Sequence, residues 1–290
     1  MNGQIEDQIV VDAPAPSLKS VVAPIKTILS LQSASLDVFA LPSNAKILLG
    51  MHSKNQADSR VLPLLAQRDP IYLTHLLCLA SSKQFKNKTA ITANEAFRTL
   101  RTEKTLEAML SVTPKSASKD TTSLGSINFA VDQYILQRCQ GHALTVRRLA
   151  RYLELTGEET SALYIACLLD SVCLYAGIAG SYEAALQIQI ELFSRAASET
   201  FLLRDSSILC DYHLLAVHLA RKWEANCLVV ETLTPSTKQS HALLIAVEHI
   251  VEAKRRRTSQ QQALFSILGK YPNLKKRLRN DEIDLAEKSW

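Results

Sequence analysis

Residues 158–177 read EETSALYIACLLDSVCLYAG, and this stretch decides the fold. From Ser161 to Ser181 the only charged residue is Asp170. Ala162, Leu163, Ile165, Ala166, Leu168, Leu169, Val172 and Leu174 cover most of a helical circumference, and a helix apolar all round belongs inside a bundle or a bilayer. Gly157, Glu158, Glu159 and Thr160 suit its entry, with acids at the positive end of the helix dipole. Gly177 and Gly180 suit its exit. The stretch is long enough for a span of about 20 residues. An Asp near its middle would cost about 2.5–3.5 kcal/mol on insertion. The cluster Arg147, Arg148 and Arg151 sits back in a preceding helix, and no Lys or Arg closely follows the stretch. It therefore reads as the core helix of a soluble protein, with no membrane span.

The rest of the chain fits that helix into an all-α protein. The 290 residues contain only 8 Gly and 9 Pro. Leu and Ala dominate the apolar set, the polar set favours helix, and no β-branched run alternates long enough for a strand. A chain of this length can bury a sizeable core. The start, MNGQIEDQIVVDAPAPS, has no basic region followed by an apolar one, so no secretory signal is expected. Six cysteines (Cys78, Cys139, Cys167, Cys173, Cys210 and Cys227) lie in apolar helical segments without a C-x-x-C pair, which points to buried free thiols in a reducing cytoplasm rather than zinc or redox chemistry.

Charge is uneven. The formal net charge is +5. Nine Lys/Arg and no acid fall between Lys254 and Arg279, leaving 24 basic against 28 acidic residues elsewhere. The basic character belongs to the C-terminal tail.

Along the chain, residues 1–34 read as an extension with one docking helix that uses Val21, Val22, Ile25, Ile28 and Leu29. Residues 35–250 read as the helical domain, and 251–290 as the basic helical tail. Pro42 breaks the chain before a short helix Ala45–Met51. A helix Ser59–Gln67 turns Val61, Leu62, Leu64 and Leu65 inward, with Pro63 in its first turn. Asp69 caps a helix Pro70–Ala80, with Pro at the first helical position. Helices from about Asn94 and over Glu103–Val112 precede a Ser/Thr/Lys-rich linker at 111–126. Further helices are expected at Ile127–Arg138, Thr145–Leu155, Glu158–Ala176, Glu183–Ser198, Ser207–Trp223 and His241–Arg256.

Leu41-Pro42, Asp69-Pro70, Leu73, Leu76-Leu77, Leu79-Ala80-Ser81-Ser82, Phe85, Ile91 and Glu95-Ala96 together resemble the first half of the HDOD domain, the HD-related output domain of bacterial signalling proteins. That family typically has Asn where this chain has Ser81, and Gly where Arg101 follows Leu100. Cys167-Leu168-Leu169-Asp170-Ser171-Val172-Cys173 stands at the place of the family's GLLHDIG segment, with Asp170 for the His, Ser171 for the Asp and Cys173 for the Gly. Leu219-Ala220-Arg221-Lys222-Trp223 is similar to its later la..W segment. The resemblance spans about Leu41 to Val247. It implies an HD-like helical bundle in the bacterial cytoplasm, acting in signal transduction without catalysis or cofactor. The implied partner is another signalling protein or a nucleotide second messenger.

The residues themselves offer little hydrolase chemistry. A catalytic divalent ion needs several converging N/O ligands. None of the seven His is followed by Asp, and with Ser171 in the dyad one carboxylate, Asp170, remains. Asp170 is expected to be partly buried and either hydrogen-bonded to backbone or paired with an Arg such as Arg147, Arg148 or Arg151, since an unpaired buried carboxylate is expensive. His213 and His218 are five apart and His241 and His249 eight apart, so neither pair shares a helical face for a metal. No phosphate-binding glycine loop and no G-x-S-x-G elbow occurs. A divergent metal-dependent phosphohydrolase would have to draw ligands from around Asp170, His142 and His213. The basic tail is the remaining candidate binding surface: Lys254, Arg255, Arg256 and Arg257 end a helix, and Lys275, Lys276 and Arg277 follow a turn. The plain reading is a solvated helix end. The sharper one is an electrostatic footprint for nucleic acid or another anion, without the aromatics of a base-stacking platform.

Overall fold

The computed structural model describes residues 40–54, 58–85, 89–113, 125–179, 215–236 and 239–255. The chain divides into compact units Met1–Ser35 and Leu36–Trp290, and the described residues all belong to the second. The expected docking helix near Val21–Leu29, most of the 111–126 linker, the helix Glu183–Ser198 and the tail beyond Arg255 lie outside the described residues.

The elements are α1 Pro42–Ser53, α2 Val61–Gln67, α3 Pro70–Ser81, a 3₁₀ turn Lys83–Phe85, α4 Ala93–Ser111, α5 Gly125–Leu153 and α6 Gly157–Ala179. They continue with a helix over 215–222 (α7), α8 Cys227–Leu233 and α9 Gln239–Arg255. Among the described residues there is no strand, so the fold is all-α. No described helix is long and apolar enough to cross a membrane.

The stretch around Asp170 is the centre, as its apolar circumference requires. Every residue from Ser161 to Leu174 is buried. Helix α6 packs on α5, α3, α8 and α9. Its entry is a capping box: Glu159 N–H donates to Thr156 Oγ1 (3.2 Å) while Thr156 N–H donates to Glu159 Oε2 (2.8 Å). Of the two glycines expected at its exit, Gly177 lies within the helix, and the last helical residue, Ala179, directly precedes Gly180 in the sequence. The helix runs through Gly177 to Ala179, because a single Gly in a helix costs only about 1 kcal/mol.

Two corrections concern α5 and α2. The expected break between Arg138 and Thr145 does not exist, and α5 is continuous through Gly141. That glycine is there for packing: a Cβ on it would lie 3.2 Å from Val251 Cγ1 of α9. In α2 the inward residues are Leu62, Pro63, Leu65 and Ala66. Val61 and Leu64, expected inside, are 36% and 56% exposed, because a helix of seven residues with one packed face buries only one stripe. Pro42 opens α1 at its first position rather than preceding it, where its missing N–H costs nothing.

Helix α4 contains a kink. Arg101 has φ 65° and ψ 174°, a backbone region that is essentially glycine's own. The kink separates the two segments that the sequence predicts from about Asn94 and over Glu103–Val112. The Cβ of Arg101 strains the backbone there. Arg101→Gly is expected to stabilise the fold by about 1–2 kcal/mol. A raised denaturant midpoint at unchanged m-value would show it. Helices α5 and α7 end on Glu154 (φ 52°) and Glu224 (φ 56°), left-handed caps closed by Leu155 N–H to Ala150 O and Ala225 N–H to Ala220 O, both 2.9 Å.

Candidate functional site

The α5–α6 hairpin determines which charges meet. The two helices are joined by a turn of three residues, 154–156, so they run antiparallel, and a residue well inside α6 lies level with one well inside α5. Asp170 is thereby placed beside Arg138, with Arg138 Nη2 3.9 Å from Asp170 Oδ2. The expected partners Arg147, Arg148 and Arg151 lie nearer the turn, at least nine residues and about two and a half turns from Arg138, with Arg147 and Arg151 exposed.

Helix α9 completes the cluster. Its Glu248 forms an ion pair with Arg138 through Oε2 and places Oε1 2.9 Å from His142 Nε2. The other ring nitrogen, His142 Nδ1, lies 3.0 Å from Ser171 Oγ. Ser171 Oγ also donates to Cys167 O one turn back in α6 (3.0 Å). His142 and Ser171 are 0% exposed and Asp170 3%. The surroundings are equally dry: burial pushes the Cys139 thiol up to about 12 and Cys167 well above the usual thiol range.

The cluster thus gathers Asp170 and Ser171 of α6 together with His142 of α5. Arg138 and Glu248 were not singled out from the sequence. Glu248 lies 78 residues beyond Asp170, and no local spacing relates them. The heptapeptide Arg138-Cys139-Gln140-Gly141-His142-Ala143-Leu144 did carry a signal: Arg138 and His142 are four apart and share one face of a helix. Among the described residues no group of three or more His, Cys, Asp or Glu is placed to hold a metal ion. In this cluster the positive charge that both carboxylates face is the guanidinium of Arg138.

The other candidates do not converge on it. His218 and His249 are exposed, His241 Nδ1 lies 3.0 Å from Thr232 O, and His213 lies outside the described residues. The backbones of Lys254 and Arg255 form the last turn of α9; Arg256, Arg257, Lys275, Lys276 and Arg277 lie outside the described residues. Cys78, Cys139, Cys167 and Cys173 are buried free thiols, but Cys227, expected to be buried, is exposed at the first position of α8. Cys210 lies outside the described residues.

A second polar centre sits under α1. Asp69 is 0% exposed and caps α3: its Oδ1 accepts from Ile71 N–H (2.9 Å) and Tyr72 N–H (3.2 Å). Its Oδ2 accepts from Leu41 N–H (2.9 Å) and Asn44 Nδ2 (3.1 Å), which ties the start of α1 to the start of α3. Burial pushes Asp69 up to about 6, against the downward pull of these four donors. The expected cap is therefore present, with a tertiary role added to it.

A cleft of about 260 Å³ opens between α3, the 3₁₀ turn, α4 and the end of α7. Neither it nor the smaller clefts beside Leu163 and Asn226 is lined by a member of the Arg138 cluster. No family model, no curated protein and no solved structure matches this chain.

Proposed function

We propose that this chain is a non-catalytic regulatory module of signal transduction that works by binding another signalling protein or a small ligand. One observation carries the reading: at the position of the HD-like dyad, the charges close on an arginine. Metal-dependent hydrolysis needs carboxylate and imidazole ligands converging on an ion that water and substrate can reach. Asp170 and Glu248 instead face Arg138, and the group is buried under α9. The guanidinium cannot be deprotonated to make way for chemistry. A fixed internal cation suits a structural core.

The resemblance to the HDOD domain supports the same reading. Arg101 has the backbone conformation of a glycine at the position where that family has one. The bacterial, cytoplasmic setting belongs to the proposal through that resemblance.

The test is metal analysis of the full chain purified without chelator, with a phosphatase and phosphodiesterase screen on the same sample. The expected outcome is substoichiometric metal and no turnover. Near-stoichiometric iron, manganese, nickel or zinc with turnover abolished by Asp170→Asn would overturn the proposal in favour of a divergent phosphohydrolase.

A further inference from the structure

The 260 Å³ cleft is built differently from the Arg138 cluster, and its chemistry is that of a recognition surface. Its floor is apolar and aromatic. Trp223, 6% exposed, lies against His75 with ring centroids 4.8 Å apart and planes inclined by 34°. Leu79 and the half-buried Phe85 extend this floor. His75 Nδ1 lies 3.1 Å from Ala108 O, which fixes the ring in place. Burial pushes His75 down to about 4, so at neutral pH the floor carries no charge.

Both rims carry both signs of charge. On α4, Lys104 and Glu107 form an exposed ion pair at 2.7 Å, one turn apart. On the opposite side, exposed Lys222 and Glu224 flank Trp223 at the end of α7. The left-handed cap at Glu224 turns the chain there.

We propose that this cleft docks a segment of a partner protein, which inserts one large apolar side chain between α4 and Trp223 and pairs its own mixed charges with the rims. The inference rests on the binding-module reading and assigns it a surface. A nucleotide fits the charge pattern worse, because its phosphates would meet Glu107 and Glu224 as well as the lysines. A protein segment with both signs finds a partner on each side. The volume accommodates one aromatic or large aliphatic side chain, and a single desolvated anchor ringed by polar contacts is how binding energy concentrates at protein interfaces.

The test is selection from a displayed random-peptide library against the full chain, with adenosine 5′-monophosphate titrated in parallel. The Trp290→Phe background leaves Trp223 as the fluorescent reporter, since the chain has two tryptophans. The expected peptides carry one large apolar residue flanked by both signs of charge and change Trp223 emission. They lose about tenfold or more in affinity on Lys104→Glu or Lys222→Glu, both surface changes that leave the core intact, and on Gln84→Phe, which fills the cleft from its rim without adding a second tryptophan. Peptides that bind these variants as well as the parent overturn the cleft assignment and leave the binding-module reading standing. Failure to recover any peptide, or binding of adenosine 5′-monophosphate that the same variants abolish, overturns the peptide proposal. Hydrolytic turnover with bound metal, by contrast, would overturn the module reading itself.

Discussion

Replacing Arg138 by Met is expected to cost about 3–5 kcal/mol. The substitution removes from a buried site the guanidinium that Asp170 and Glu248 both face. Desolvation of a carboxylate is tolerable only while its charge is met, and removing one member of a buried ionic group strands the others. A loss of this size is a large share of the 5–15 kcal/mol by which a domain is usually stable. Arg138→Lys keeps the charge but not the planar fork, and is expected to recover only part of the loss. Arg138→Met combined with Asp170→Asn and Glu248→Gln removes both carboxylate charges as well and is expected to recover most of it. Equilibrium urea unfolding of the four proteins gives the comparison. A triple variant no more stable than Arg138→Met would show that the residues do not act as a unit.

The second large effect is at Asp69. Asp69→Ala leaves the N–H groups of Leu41, Ile71 and Tyr72 without this acceptor and takes from Asn44 Nδ2 one of its two, the other being Arg68 O, and is expected to cost about 3 kcal/mol. Asp69→Asn keeps an acceptor for the α3 amides but turns an NH₂ group towards Leu41 and Asn44, so its loss is smaller. The pH dependence distinguishes the carboxyl from the amide. The folded protein holds Asp69 near 6 while the unfolded chain holds it near its ordinary value of about 3.9. Between these values the native state binds the extra proton. The wild-type stability contributed by this group is therefore fully present below about pH 4 and is lost as pH rises through 6, by about 3 kcal/mol. Asp69→Asn has no such group. The stability of wild type relative to Asp69→Asn is expected to fall from pH 4 to pH 7, and a flat difference would place the native carboxyl at its ordinary value.

How much of this was legible in advance follows from the range of each interaction. The cap at Asp69, proline at the first position of α3 and the apolar helix around Asp170 are local features. Each is fixed by residues within one or two turns, and each is present where the sequence places it. The errors are of another kind. Residues 139–144 read as a gap between two helices, yet α5 runs on through Gly141, whose lack of a side chain is used by Val251, 110 residues away. Leu64 reads as inward because it is apolar, yet it stands on the outer side of α2, 56% exposed. Asp170 reads as paired with the nearest arginine cluster in sequence. The hairpin geometry gives it Arg138 instead, because antiparallel helices bring together residues equally far from their turn.

The sequence by itself therefore determined the all-helical class, the central position of α6 and the absence of a His-Asp pair, because composition, periodicity and adjacency need no knowledge of what lies across the core. The tertiary structure alone decided that Asp170, Ser171, His142, Arg138 and Glu248 form one buried group, and that His75, Phe85 and Trp223 floor one cleft. These residues come from helices far apart in the chain. Charge pairing and aromatic stacking act over a few ångströms, and only the packing of α5, α6 and α9, and of α3, α4 and α7, brings the groups within that distance.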